Sequence, residues 1–232
     1  MTGAFEPYGP THLAAIGCGA IGAIGVVWLG RSVRGRSAEE RVRRTFAVLL
    51  PVFSLPHQAR QLAPGDFDLD SSLPLDLSDL AWLVAVWALW SRRSRATSLL
   101  YYWGLTLTLQ AMLTPTLDND FPDPDYFLFF ITHLLTIWAA LFLTFGLGIR
   151  PDWPGYWFAV ACTAVWALCA ITVNLLVDAN YGYLSRKPDV ATLLDLFGPW
   201  PAYLLAEGAV VMAGWALITW PWVVRRQRAV SG

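Results

Sequence analysis

Ser78 and His133 are the two residues of this sequence whose chemistry best suits covalent catalysis. A serine hydroxyl becomes a nucleophile when a neighbouring base takes its proton, and histidine is the most common base. A carboxylate, either Asp79 or Glu207, could orient the imidazole as the acid of a Ser-His-Asp triad does. Backbone N–H groups at a helix start could stabilise the oxyanion. This combination predicts cleavage or transfer of an acyl ester, although no GxSxG sequence surrounds the serine.

Two other kinds of site are compatible with the same side chains. Three histidines, His12, His57 and His133, could bind zinc together with a carboxylate. Their spacing matches no HExxH-type motif and they come from different predicted helices, so acyl chemistry is favoured and no metal or other cofactor is expected. A retinal-binding receptor or transporter is disfavoured, because the only lysine, Lys187, lies in a predicted outer loop and the inner halves of the helices offer no polar path.

Seven apolar stretches must position these residues. The chain is 56% hydrophobic and 14% charged, whereas soluble domains carry about 25% charged residues. A membrane-spanning helix needs about 20 mostly apolar residues. The stretches that meet this requirement are 12–30, 45–63, 73–90, 97–114, 126–146, 155–177 and 199–223. We therefore expect an all-α fold, a single transmembrane bundle of seven helices over residues 1–232, in which the second helix is the least apolar.

The distribution of basic residues predicts the orientation of this bundle. Of the 16 lysines and arginines, 13 lie between the first and second helices or directly after the third, fifth and seventh. The alternate loops hold only Arg60, Arg186 and Lys187 and are otherwise acidic. Because basic loops stay on the cytoplasmic side, the N-terminus is predicted outside and the C-terminus inside the cytoplasmic membrane of the cell. The net charge of −1 gives no reason to expect nucleic acid as a partner.

The polar side chains of the predicted helices collect in their outer halves. They are His12, His57, Asp76, Ser78, Asp79, Gln110, His133, Asn174 and Glu207. Ionisable groups at membrane depth are costly and mark function, and His133 and Glu207 lie about two turns inside, too deep for snorkelling. The two aspartates also suit the N-terminus of a helix, and the amides of Gln110 and Asn174 suit hydrogen bonds between helices. The convergence predicts a cavity open to the outer leaflet or the outer aqueous phase.

Several segments resemble one family of bacterial membrane proteins. They are LPLDLSDL at 73–80, YYWGLTLTLQAMLTP at 101–115, FFITH at 129–133, IRP at 149–151, NYGYLSRKP at 180–188 and LLDLFGPWPAY at 193–203. In order and spacing they resemble the YwaF-like family over most of the chain. That family is similar to the transmembrane protein 164 acyltransferases, which remodel ether phospholipids, and more distantly to the androgen-induced-type hydrolases of fatty acid esters.

The resemblance implies roles for individual residues. It implies that position 78 holds the nucleophile, that His133 is its histidine partner, that Asp79 is the usual following aspartate, and that His12 and His57 match the histidines of the first two helices. Two positions depart from the pattern: Ser78 stands where the acyltransferases have cysteine, and Asp76 where the family more often has Gln or His. Either His133 is strongly activated, or this member has lost catalysis and kept a lipid-binding pocket.

These observations predict an integral membrane lipid acyltransferase or lipid ester hydrolase. Ser78 would attack the acyl ester, His133 would shuttle the proton, and Asp79 or Glu207 would orient the imidazole. The predicted substrate-binding residues are His12, His57, Asp76, Gln110 and Asn174. The expected partner is a membrane phospholipid or another acyl lipid, and the sequence does not indicate an oligomeric state. The alternative is a membrane protein that binds a lipid or small molecule without catalysis.

Overall fold

A computed structural model describes residues 3–65, 67–70, 72–115, 117–187 and 196–231, with side chains up to residue 227. Within these ranges the fold is all-helical, as predicted, and its seven main helical segments are α1 (Pro10–Val33), α2 (Ala38–Gln61), α3 (Leu77–Ser91), α4 (94–113), α5 (Pro124–Gly146), α6 (Trp153–Val177) and α7 (Ala202–Ser231). Helix α4 contains a π-helical turn at Trp103–Leu107, and α5 ends in another at Phe142–Gly146. By length and composition, α1, α5, α6 and α7 are able to cross a membrane.

The helix boundaries differ from the hydropathy-based ones in both directions. Helix α3 begins at Leu77 rather than at 73, with Asp76 as its N-cap. Other helices are extended by charged residues. Helix α2 begins at Ala38 rather than at 45, because its first turn contains Glu39 and Glu40, which favour a helix N-terminus. Helix α7 continues to Ser231 rather than ending at 223. Hydropathy detects only the apolar part of a helix, so these polar turns were assigned to loops.

Helix α5 is the central helix of the bundle. In its most apolar window 67% of the residues are buried, compared with 11% in α1, 11% in α6 and 17% in α7. It packs against α1, α2, α3 and α4. Gly30 and Gly146 allow α1 to approach closely, since a Cβ atom on Gly30 would lie 2.7 Å from the Cα atom of Gly146. Side chains on α5 therefore point into protein rather than away from it.

The N-terminal end of α2 and the C-terminal end of α3 are joined by charged contacts. Arg43 of α2 is buried and donates hydrogen bonds to the carbonyls of Leu89 and Trp90, the latter at 2.7 Å. These carbonyls lie in the last turn of α3, where a helix lacks intrahelical donors. Arg92 pairs with Glu39 at 3.1 Å. The contacts fix the relative depth of the two helices that carry His57 and Ser78.

Helix α6 packs against α4, and α7 packs against α6 and contacts α4 through side chains. The Tyr102 ring stacks on Trp215 at 4.8 Å, and its hydroxyl lies 2.6 Å from Thr219 Oγ1. Trp215 also donates to Thr106 Oγ1 at 3.0 Å. These contacts hold the middle part of α7 against α4.

Candidate functional site

Ser78 and His133 occupy corresponding positions in two helices that pack together. Each lies thirteen residues before the last residue of its helix, Ser91 in α3 and Gly146 in α5. At about 1.5 Å per residue, each is about 20 Å from the C-terminal end of its helix. From this counting we infer that both residues lie toward the same end of the bundle.

His133 is held in the tautomer that a general base requires. Its Nδ1 atom lies 2.8 Å from the carbonyl oxygen of Phe129. A carbonyl only accepts hydrogen bonds, so Nδ1 carries the hydrogen and Nε2 is left with a free lone pair. The Phe129 ring also stacks on the imidazole at 4.0 Å. Nε2 is buried and has no hydrogen-bond partner in the described part of the chain.

His57 is the second histidine in this part of the bundle. Its Nδ1 atom is buried and, among the described residues, also lacks a hydrogen-bond partner. It lies close enough to His133 for the two imidazoles to interact electrostatically. The next residue, Gln58, donates to the backbone carbonyl of Asp79 at 3.2 Å, which joins this part of α2 to the first turn of α3. The structure therefore brings His57, Ser78 and His133 into one region.

Further buried polar side-chain atoms of α2–α5 have no hydrogen-bond partner within the described chain. Those toward the end of the bundle that carries Ser78 form, with the two histidines, what we call the unpaired set: Ser54, His57, Trp82, Thr108, Thr132 and His133. Others lie toward the opposite end of the same helices, in Glu39, Arg43, Thr97, Ser98 and Thr144. A buried polar atom without a partner costs about 1–3 kcal/mol, so native proteins contain few. The atoms of the unpaired set are able to bond to an ester or a hydroxyl group.

Sequence reasoning missed Ser54, Trp82, Thr108 and Thr132. Serine and threonine inside helices usually bond to a carbonyl of the preceding turn, and several in this chain do, including Thr136 to Thr132, Thr163 to Ala159 and Thr172 to Leu168. A hydroxyl in an apolar stretch therefore carries no signal by itself. Only the packed structure distinguishes the hydroxyls that lack a partner.

Ser78 is half-buried, and its hydroxyl makes no hydrogen bond within the described chain. In particular, it is not bonded to His133. Asp79 lies in the first turn of α3, where a carboxylate favours the N-terminus of a helix. The orienting contact predicted for Asp79 or Glu207 is made to His133 by the Phe129 carbonyl instead.

Asp76 and Asn174, both predicted to bind substrate, contact a turn that we call the outer strap, residues 178–184. Asp76 Oδ1 accepts from the Gly182 N–H at 3.0 Å. Asn174 is buried; its Oδ1 accepts from the Tyr181 N–H at 2.8 Å and its Nδ2 donates to the Tyr181 carbonyl at 3.1 Å. These contacts secure the strap to α3 and α6. A substrate-binding role for either residue stays a prediction.

The strap in turn holds the segment that leads into Ser78. The hydroxyl of Tyr181 donates to the Leu69 carbonyl at 2.7 Å and accepts from the Leu73 N–H at 2.9 Å. Burial raises the pKa of Tyr181, so its phenol stays protonated and able to donate. Trp166 of α6 adds a hydrogen bond to the Leu75 carbonyl at 2.8 Å. Three hydrogen bonds from two side chains therefore fix the backbone before the candidate nucleophile.

His12, Gln110 and Glu207 lie away from these contacts. His12 is fully buried: its Nε2 lies 2.9 Å from the Met112 carbonyl and its Nδ1 accepts from the Tyr8 N–H at 2.9 Å, so both nitrogens are used. Gln110 is exposed, and Glu207 is half-buried on α7. In the described part of the chain neither contacts His133. Their predicted roles stay predictions.

The three histidines do not converge on one point. Across the described ranges, no group of three or more His, Cys, Asp or Glu side chains is placed to hold a metal ion. His57 and His133 lie close to each other, and Gln58 joins this part of α2 to the first turn of α3, which contains Ser78. Two imidazoles in the region of a serine hydroxyl suit proton transfer.

Comparison with known proteins identifies the family. No curated protein matches the chain, and neither does any solved structure. The model of the TMEM164 family matches residues 7–219, which include all of the residues discussed above. This range covers most of the 232 residues, and the chain therefore belongs to the TMEM164 family.

Proposed function

We propose that this protein is a multi-pass membrane enzyme that transfers or hydrolyses the acyl groups of lipids, with Ser78 as nucleophile and His133 as base. The observation that carries the proposal is the buried, unpartnered Nε2 of His133 toward the same end of the bundle as Ser78. Its Nδ1 contact to Phe129 holds the ring in the proton-accepting tautomer. Membership of the TMEM164 family and four long apolar helices support a membrane location.

The reaction would proceed in two steps. His133 Nε2 takes the proton of Ser78 as Oγ attacks the acyl carbonyl, and the ester C–O bond breaks when the proton passes to the departing lipid oxygen. The acyl-serine is then attacked by water or by a hydroxyl of an acceptor lipid. His133 takes the proton of that attacking group and returns it to Ser78 Oγ. The product is a free fatty acid or a newly acylated lipid.

The first turn of α3 supplies donors for the oxyanion. Asp76 occupies the N-cap position but makes no side-chain hydrogen bond to its own helix, because its Oδ1 accepts from Gly182 on the strap. The first N–H groups of α3 therefore lack a side-chain cap next to Ser78. Such N–H groups stabilise negative charge that develops on a carbonyl oxygen.

The same proposal includes the topology. Seven spans with the N-terminus outside place Ser78 and His133 in the outer half of the cytoplasmic membrane, where the acyl esters of phospholipids are accessible. The alternation of basic and acidic loops supports this orientation. Helices α2, α3 and α4 count as spans in this topology because they pack directly on the buried α5.

A binding protein without catalysis is the second candidate. It is favoured by one observation: the hydroxyl of Ser78 and Nε2 of His133 are not hydrogen-bonded to each other, and Nε2 has no partner within the described chain. In an enzyme of this type, the substrate or one water molecule would complete the contact. In a binding protein, the unpaired set would only solvate a polar head group.

The test compares three variants with wild type in defined liposomes. Ser78→Ala removes the nucleophile, and His133→Asn removes the base while its amide N–H retains the donor to Phe129. The matched control is Ser91→Ala, at the opposite end of α3. Acyl exchange and fatty acid release are measured by mass spectrometry. We expect turnover to fall at least about 100-fold in both site variants and to persist in the control.

Either of two results would exclude this mechanism. One is that the folded Ser78→Ala variant turns over lipid at the same rate as wild type. The other is no wild-type turnover across phospholipid, ether-lipid and fatty acid ester panels together with saturable lipid binding, which would support the binding protein. The acyl acceptor follows from the products, since hydrolysis gives free acid and transfer gives an acylated lipid.

A further inference from the structure

A groove of about 560 Å³ lies at the N-terminal end of α2 and the C-terminal end of α3, far from the candidate site. It runs along α2 from Arg41 to Leu49, with Trp90 of α3 on its other side. Fourteen residues of α2 separate Arg43, at this level, from His57, which corresponds to about 20 Å along the helix. The groove is therefore a separate feature from the site of Ser78.

The part of the groove nearest the start of α2 is cationic. Arg44 pairs with Glu40, its neighbour one turn away, and its guanidinium lies 5.4 Å from the centre of the Trp90 ring. Arg41 is exposed and has no ion-pair or hydrogen-bond partner among the described residues. Since Glu40 offsets only one of the two arginines, the lining carries a net positive charge. The hydroxyl of Ser37 also lines the groove and makes no capping bond to α2.

The part of the groove farther along α2, around Val48 and Leu49, is apolar. Val48 is 54% exposed, Leu49 40% and Trp90 57%. Within two turns of α2, the exposed side chains that line the groove thus change from arginine to aliphatic. A phospholipid presents its groups in the same order along the membrane normal, with a phosphate at the head-group level and acyl chains below. A tryptophan ring between the two parts suits the interface.

We propose that this groove binds one anionic glycerophospholipid from the leaflet that faces the basic loops. Arg41 and Arg44 contact the phosphate, Ser37 and Thr45 offer hydroxyls to the head group, and one acyl chain lies along Val48 and Leu49. A lipid with a net negative charge is preferred, because the ammonium of a zwitterionic head group would face two guanidinium groups. The proposal does not depend on catalysis by Ser78.

The experiment measures lipid binding to the purified full-length protein by native mass spectrometry. The probes are phosphatidylglycerol and phosphatidylcholine with identical acyl chains. We expect phosphatidylglycerol to bind about tenfold more tightly to wild type. A juxtamembrane basic residue contributes about 1 kcal/mol to anionic lipid binding, so Arg41→Gln/Arg44→Gln should lose most of this preference. Arg95→Gln, on α4 at the same end of the molecule, is the matched control and should retain it.

Three results would overturn the proposal. The first is an unchanged lipid preference in the double variant. The second is an equal loss in Arg95→Gln, which would indicate a general surface charge effect. The third is binding of soluble glycerol phosphate at similar affinity and with the same dependence on the arginines, which would indicate a site for free anions. Should the double variant not fold, Arg41→Gln alone serves, since Arg41 has no partner to lose among the described residues. It should still weaken phosphatidylglycerol binding several-fold.

Discussion

The outer strap and the unpaired set lie in the same half of the molecule but use their polar groups in opposite ways. In the strap, the hydroxyl of Tyr181 both donates and accepts, and both ends of the Asn174 amide are bonded to Tyr181. In the unpaired set, the buried hydroxyls of Thr108 and Thr132 have no partner within the described chain. The polar groups of the strap thus join parts of the fold, whereas those of the unpaired set leave hydrogen-bonding capacity unused. Ser78 lies between them, directly after the segment that the strap holds.

The largest effect is expected at Ser78 itself. Ser78→Cys should retain turnover within about tenfold, because cysteine is an intrinsically strong nucleophile, and it should make turnover sensitive to iodoacetamide. Alkylation should then reduce turnover about 100-fold or more, measured by lipid mass spectrometry. Wild type treated in the same way controls for Cys18, Cys162 and Cys169. Unimpaired turnover of the fully alkylated variant would show that position 78 does not react.

Asn174→Ala tests the strap. The substitution leaves the N–H and carbonyl of Tyr181 without their partners. A buried group without a partner costs about 1–3 kcal/mol, so we expect a loss of about 2–4 kcal/mol in the free energy of unfolding. Thermal unfolding in detergent measures it. Thr172→Ala, on the exposed side of the same helix, should change it by less than about 0.5 kcal/mol. Equal effects of the two variants would mean that the strap does not stabilise the fold.

Tyr181→Phe is a smaller change in the same region. It removes the hydroxyl that joins Leu69 and Leu73 but keeps the ring. The expected cost is about 1–2 kcal/mol. Because this segment leads into Ser78, the rate of acyl transfer should also fall while lipid affinity is retained. Concentration-dependent turnover assays separate these quantities, and an unchanged rate with reduced stability would limit the strap to a structural role.

Thr108→Val is expected to have the smallest effect on stability and the opposite sign. Thr108 is buried and its hydroxyl has no partner in the described chain, so removing it should be neutral or stabilising by up to about 1 kcal/mol. Thr219→Val is the matched control. Its hydroxyl contacts Tyr102 and Trp215, both at 2.6 Å, and its loss should cost about 1–2 kcal/mol. Equal costs in both variants would contradict the assignment of Thr108 to the unpaired set. Turnover of folded Thr108→Val then reports whether the hydroxyl contacts substrate.

Much of the helical framework was predictable because each membrane helix is a stretch of about 20 mostly apolar residues, which is easy to recognise in a sequence. The boundaries of α5 and α6 lie within two residues of those predicted. A shared depth of Ser78 and His133 follows from counting residues along two apolar helices, and it stays a prediction. The start of α2 was not, because its first turn is stabilised by charged contacts such as the pair of Glu39 with Arg92 of α3, which hydropathy does not register.

The use of each polar residue could not be predicted in the same way. His12, Asp76 and Asn174 are polar residue types that suit substrate binding. In the structure, their side chains form hydrogen bonds with Met112, Gly182 and Tyr181, respectively. Conversely, the hydroxyls of Ser54, Thr108 and Thr132 gave no signal in the sequence and are left without partners.

The sequence by itself determined that this is a membrane protein, and it determined the helices and the family motifs. These properties depend on local composition and on the constant rise of a helix. The tertiary structure alone decided which polar groups of the described chain are bonded to other protein groups and which are not. Contacts such as those of His12 with Met112 and Tyr181 with Leu69 join residues about 100 positions apart, and no spacing along the chain encodes them.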